Sequence, residues 1–146
     1  MEIYQASIRD LDSIAPLFND YRIFYGQPSD LPAARSFMKE RLTNKDSIVY
    51  TVKLEGEHAG FVQLYPSFSS VSMKRLWILN DLYVSEAFRR KGVAERLINE
   101  AIKLARSTEA KELSLETACT NSQAQRLYEK IGFIKDDEHV YYSLPI

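Results

Sequence analysis

The sequence predicts an α/β domain of the α+β kind, with a mixed, mostly antiparallel sheet flanked by about four helices and residues 1–146 forming one unit. Three observations carry that expectation. Apolar residues alternate in twos through "SIVYTVKLEGEHAGFVQLYP", they recur at steps of three and four from Val93 to Ala105, and the two patterns follow one another without a linker, a repeat or a low-complexity tract. A chain of 146 residues can bury roughly two-thirds of its unfolded surface, enough for a core that needs no staples.

The elements follow in order. "EIYQAS" is a short strand, and Asp10 is a plausible cap for a helix that sets Leu11, Ile14, Phe18 and Tyr21 on one face. Pro16 removes a helical hydrogen bond, so this helix either starts nearer Asp12 or bends. In "QPSDLPAARSFMKERL", Ser29 or Asp30 caps a second helix with Pro32 in its first turn and Phe37, Arg41 and Leu42 at helical intervals. "EGEH" reads as the turn of a hairpin, and "RLWILNDLYV" as a strand covered on both faces. Val93, Ala94, Leu97, Ile98, Ala101 and Ala105 form the stripe of a third helix. "ELSLETAC" is a short strand, Asn121 caps a helix that Gly132 terminates, and "HVYYSLP" is a closing strand.

Composition narrows the function. Lys+Arg 19 against Asp+Glu 20 leaves a net charge of −1, with no global pull toward nucleic acid or anionic lipid. A nucleic-acid-binding domain would need more basic surface than "RRK" supplies, and "KDDEH" is acidic. No apolar stretch approaches the roughly 20 residues of a membrane span, and "MEIYQASIRDLDS" lacks the basic start and apolar core of a signal peptide, so a cytoplasmic location is expected. One cysteine and two distant histidines, His58 and His139, give no metal-ligand spacing. Any anion site must be local, and that points to "FRRKGVAERL".

A helix N-terminus presents backbone N–H groups without internal partners and carries about half a positive charge. Gly92 keeps a Cβ away from an approaching phosphate, Ala94 keeps the first turn open, and Arg89, Arg90 and Lys91 add side-chain charge. The stretch contains neither the P-loop pattern nor the three glycines of a dinucleotide fingerprint, so it describes a pyrophosphate cradle of another kind. A solvated basic loop is the alternative.

"LNDLYVSEAFRRKGVAERLINEA" resembles the acetyl-CoA-binding segment of the GNAT superfamily of N-acetyltransferases, in which Arg or Gln, two variable residues, Gly, a variable residue and Gly or Ala open a helix after a strand. Arg89, Gly92 and Ala94 occupy those positions, and "NSQAQRLYEKIGF" is similar to the superfamily's second cofactor segment. "DYRIFYGQPSD" and "QLYPSFSSVSMKRLWILNDLYV" resemble bacterial relatives of yeast histone and polyamine acetyltransferases. The resemblance spans nearly the whole chain and implies transfer of acetyl from acetyl-CoA, as co-substrate, to a primary amine in a ternary complex. The acceptor would be a polyamine, a small amine or a lysine or peptide amine. A homodimer is expected by analogy, with "YYSLPI" offering an interface edge.

The same resemblance implies roles residue by residue. Leu82, Tyr83 and Val84 would offer backbone groups to the pantetheine arm, and Arg89, Arg90, Lys91, Gly92, Val93 and Ala94 would hold the pyrophosphate. Asn121 would cap its helix and touch the pantetheine. Tyr128 would be the general acid, since a phenol with an intrinsic pKa of about 10 stays protonated at neutral pH; packing beside Leu127 and Ile131 is its other reading. Some relatives carry Glu where this chain has Asn80, which leaves Asp81 and Glu116, acting through water, as candidate bases. Asp81 inside an apolar strand either satisfies a backbone group or serves catalysis. Cys119 is expected to be a small buried side chain, without a neighbouring histidine to make it a thiolate. Tyr21, Tyr25, Asp30, Tyr65 and Phe68 are candidates for the acceptor pocket, where aromatic faces and a carboxylate suit an alkyl ammonium. The alternative to an enzyme is a non-catalytic acyl-CoA-binding module of the same fold.

Overall fold

The computed structural model describes all 146 residues, which fall into two compact units, Met1–Glu116 and Thr117–Ile146. The first unit is built on a five-stranded sheet in sequence order: β1 (Glu2–Gln5), β2 (Ile48–Leu54), β3 (Glu57–Ser69), β4 (Lys74–Val84) and β5 (Leu113–Ser114). The first four strands pair antiparallel and β5 joins β4 in parallel. Three helices accompany them: α1 (Leu11–Phe24), α2 (Leu31–Asn44) and α3 (Val93–Ser107).

Local chemistry sets most boundaries. The β2–β3 hairpin turns on Glu55 and Gly56, both at positive φ (56° and 81°), the backbone that a two-residue turn matched to strand twist requires. Asp30 caps α2 by accepting the Ala33 N–H at 3.1 Å. Asp10 behaves differently from the sequence expectation. Its carboxylate accepts the Ser7 N–H at 2.9 Å and the Tyr4 hydroxyl at 2.7 Å, closing a capping box one turn earlier, and makes no cap bond to α1. α1 starts at Leu11 and runs through Pro16.

The two faces of the sheet are filled by different helices. Leu11, Ile14, Ala15 and Phe18 of α1 and Ala34 and Met38 of α2 close over Val49 and Phe61. The buried face of α2 is therefore Ala34 and Met38, while Phe37 is partly exposed and Arg41 pairs with Glu40 and Asp46. α3 buries Val93, Leu97, Ile98, Ala101 and Ala105, the stripe that its spacing predicts. At the far end of α3 the Trp77 Nε1–H donates to Thr108 Oγ1 at 2.8 Å, tying the helix terminus to β4.

The second unit holds α4 (Ser122–Ile131), capped by Asn121 accepting the Ala124 N–H at 3.2 Å and ended by Gly132 at φ 123°. Two expected strands are corrected here. Regular pairing in "ELSLETAC" is limited to Leu113 and Ser114, and "HVYYSLP" forms no strand; Val140, Tyr141, Tyr142 and Leu144 are exposed. β-propensity describes fit to a neighbouring strand, and without a ladder partner it produces no strand.

Gly60 is the one glycine of the five with no room for a side chain. A Cβ there would lie 2.5 Å from Tyr83 O and 3.3 Å from Val84 Cα, both backbone atoms that cannot swing aside. Gly60→Ala is expected to displace the end of β4 and to cost roughly 1–3 kcal/mol, as overpacking does. A urea denaturation midpoint equal to that of the parent would contradict this.

Candidate active site

The site is organised by an irregularity in β4. Gln63 of β3 pairs with Asp81 but the next residue, Leu64, pairs with Leu79, so Asn80 is an extra residue bulged out of the ladder. The bulge changes the alternation. Asp81 and Tyr83 come to the face covered by α1, where Tyr83 meets Tyr21 edge-on at 6.4 Å between centroids. The Tyr21 hydroxyl approaches the carbonyl of Asn80 itself at 3.4 Å.

Asp81 is 6% exposed and sits at the end of a buried polar chain. Ser47 Oγ donates to Gln63 Oε1 at 2.8 Å, Gln63 Nε2 donates to Asp81 Oδ2 at 2.8 Å, and Asn80 Nδ2 donates to Oδ1 at 3.1 Å. Both carboxylate oxygens are thus held by neutral donors, and no cation pairs with them. Of the two roles open to Asp81 from sequence, satisfying a backbone group is not the one observed. Its partners are side chains.

Asp81 and Asn80 line a pocket of about 280 Å³ with Phe18, Tyr21, Arg22, Tyr25, Gln27, Phe37 and Tyr65. Three of the five expected pocket residues are therefore present. Asp30 is absent because its carboxylate caps α2, and Phe68 is absent because it stands 70% exposed on the β3–β4 arm beside Arg75. Burial, reinforced by the charge of Asp81, pushes the Tyr65 phenol up to about 12. Ser47, Gln63, Arg22 and Phe37 escaped the sequence reading. The available signal was Gln63, a polar residue in the middle of an apolar strand.

Beyond the bulge β4 outlasts its neighbour. Pairing with β5 ends at Ile78↔Ser114, whereas β4 continues to Val84. Ser85 N–H donates to Ala59 O, so by alternation Leu82 and Val84 direct their backbone groups to the edge away from β3, and Tyr83 directs its own toward β3. A second, wider cavity of about 800 Å³ lies alongside, lined by Asp20, Ile23, Phe24, Tyr83, Ser85, Glu86, Ala87 and Arg89.

The cationic turn closes that end. The first intrahelical bond of α3 runs from Arg96 N–H to Gly92 O, which leaves the amides of Val93 and Ala94 opening toward the turn. Gly92 has φ 77° and Arg90, a residue with a Cβ, φ 62°, so the turn ahead of α3 carries two left-handed residues. Arg90 is exposed, and Lys91 lies 5.4 Å from the Phe88 ring centre. Arg89 has a different task. Its Nε donates to Val84 O at 3.1 Å and its guanidinium lies over the Phe24 and Tyr83 rings at 5.7 and 5.8 Å.

The profile of the Acetyltransferase (GNAT) family matches residues 11–133. The chain belongs to the GNAT family. It is 48% identical over 146 residues to the uncharacterized N-acetyltransferase YhfO of Bacillus subtilis (strain 168), covering 100% of this chain and 98% of that one. It is 30% identical over 119 residues to a probable acetyltransferase of Haemophilus influenzae, covering 81% and 82%. The crystal structure of a probable acetyltransferase superposes with a TM-score of 0.95 at 47% identity over 100% of this chain and 98% of that one. The mixed sheet with four helices is the GNAT fold.

GNAT acetyltransferases use acetyl-CoA, and the cationic turn fits its pyrophosphate. A Cβ at Gly92 would meet no protein atom within 4 Å, so the space ahead of the α3 amides is open to a ligand. The remaining expected residues lie elsewhere. Glu116 is exposed at the end of the first unit, while Asn121 and Tyr128 belong to the second, where Tyr128 packs edge-on against Phe133 at 5.8 Å. Cys119 is exposed and not buried as expected, because it falls in the irregular stretch ahead of α4.

The Tyr65 phenol carries a pH signature. The unfolded chain releases this proton near pH 10 and the folded chain only near 12, so the fold loses stability as pH rises between those values. Tyr4, pushed to about 12 by burial and its Asp10 bond, acts in the same window. Tyr65→Phe should therefore weaken the alkaline decline in Tm without abolishing it; an unchanged decline would place Tyr65 in water.

Proposed function

We propose that this chain transfers acetyl from acetyl-CoA to a primary amine by direct attack, with both substrates bound together. The observation that supports this best is the length of β4 that β5 leaves unpaired, running from the buried Asp81 to the cationic turn. Leu82 and Val84 give an extended acyl-CoA arm a strand edge to lie against, and the α3 amides with Arg90 and Lys91 receive its phosphates. Arg89 shapes the wall of the wider cavity by holding Val84 and covering Tyr83.

Acetyl-CoA supplies a thioester, whose C–S bond breaks as the amine nitrogen forms a C–N bond to the acetyl carbon. The remaining work is proton handling. An alkyl ammonium has a pKa of about 10 and must be neutral to attack. Asp81, held open to the pocket by Gln63 and Asn80, takes the first proton, directly or through water. The nitrogen sheds a second proton to water as the bond forms, Tyr128 donates one to the departing sulfur and regains it from that water, and Asp81 returns its proton to solvent before the next turnover. Glu116, exposed and outside the residues that line the pocket, is the weaker candidate for base.

Thiol release from acetyl-CoA on addition of an amine is the direct test, and silence with every amine while acetyl-CoA still binds would favour the non-catalytic module. Tyr128→Phe and Asp81→Asn are each expected to lower kcat by about 100-fold or more, the usual worth of a general acid or base, with little change in acetyl-CoA affinity. A kcat within threefold of the parent, roughly the scatter of such effects, would remove that residue from the chemistry.

A further inference from the structure

Two charges of opposite sign line the smaller pocket, and each lacks a counter-ion. Asp81 is buried and bonded only to neutral amides. Arg22, half-buried on α1 one residue after Tyr21, makes no ion pair, side-chain hydrogen bond or ring contact. The pocket's other neighbouring guanidinium is already used: Arg41 pairs with Glu40 at 2.8 Å and Asp46 at 2.9 Å and lies over Phe37. Asp81 and Arg22 line one small pocket without pairing to each other, and a ligand that carries both charges itself would match the two.

The walls say what lies between those charges. Phe18, Tyr21, Tyr25, Phe37 and Tyr65 line a pocket of about 280 Å³ that is open to solvent on one side, with room for a compact apolar group against the rings. We propose that the acceptor is a free amino acid with an apolar or aromatic side chain: its ammonium faces Asp81, its carboxylate faces Arg22, and its side chain lies against the rings. This rests on the transfer reaction proposed above and narrows its substrate. The reaction then joins the α-nitrogen to the acetyl carbon and releases CoA thiol, with the protons passing as described. A polyamine would bring a second cation toward Arg22, and a lysine side chain in a protein would leave Arg22 without a partner, so both are disfavoured.

The test compares matched acceptors that differ only in the carboxylate, L-phenylalanine against phenethylamine and L-leucine against isoamylamine, with spermidine, kanamycin and a lysine peptide alongside. The amino acid is expected to exceed its matched amine by at least about tenfold in kcat/KM, chiefly through KM, and Arg22→Gln should erase most of that difference while Arg22→Lys restores part of it. Equal or better turnover of the amine, or of spermidine or kanamycin, overturns the inference and leaves N-acetyl transfer standing. If no acceptor is turned over, the transfer reading fails, and calorimetry with L-phenylalanine decides the pocket separately. Saturable binding lost in Arg22→Gln keeps the assignment, and no binding by the parent protein removes it.

Discussion

The bulge at Asn80 is the constraint from which the rest of the site follows. A regular β4 would keep one parity along its length, and Asp81 and Tyr83 would then point away from α1. One extra residue reverses the parity midway. Ile78 and Asp81 thereby share a face, and beyond Ile78 the strand runs on without β5. The same irregularity thus sets a carboxylate under the helices and frees a strand edge beside it.

A buried carboxylate is expensive unless its oxygens are satisfied, and here Gln63 and Asn80 donate to one oxygen each, while Ser47 donates to Gln63 in turn. Neutral donors hold the group in place without cancelling its charge. That distinguishes Asp81 from Asp46, whose charge is paired with the Arg41 guanidinium at 2.9 Å. Burial of Tyr65, reinforced by the nearby charge of Asp81, pushes that phenol up to about 12.

At the other end of β4 the anion turn depends on backbone more than on side chains. Arg90 at positive φ is an uncomfortable conformation for a residue with a Cβ, and it persists where the surroundings over-determine it. Arg89 contributes to that order by anchoring its side chain on Val84 O, which joins the turn to the strand it follows. Of the three cations, Arg89 is held by a hydrogen bond and two rings and Lys91 by the Phe88 ring, while Arg90 is exposed.

The sequence by itself determined the elements whose causes are local. The α3 stripe, the Asp30 and Asn121 caps, the Glu55–Gly56 hairpin and the cationic helix start are each written within a few neighbouring residues, and each is where the spacing places it. What the tertiary structure alone decided involves residues far apart. Tyr21 reaches Asn80 across 59 positions and Gln63 reaches Asp81 across 18, so neither the bulge nor the polar chain has a local signature. The same holds for the pocket, where Asp30 and Phe68 looked as suitable as Tyr25 until their other partners were known. It holds also for the unpaired "HVYYSLP", whose composition suits a strand that no neighbour completes. Periodicity and capping are properties of a segment; burial, pairing and an uncompensated charge are properties of what surrounds it, and only the folded chain supplies the surroundings.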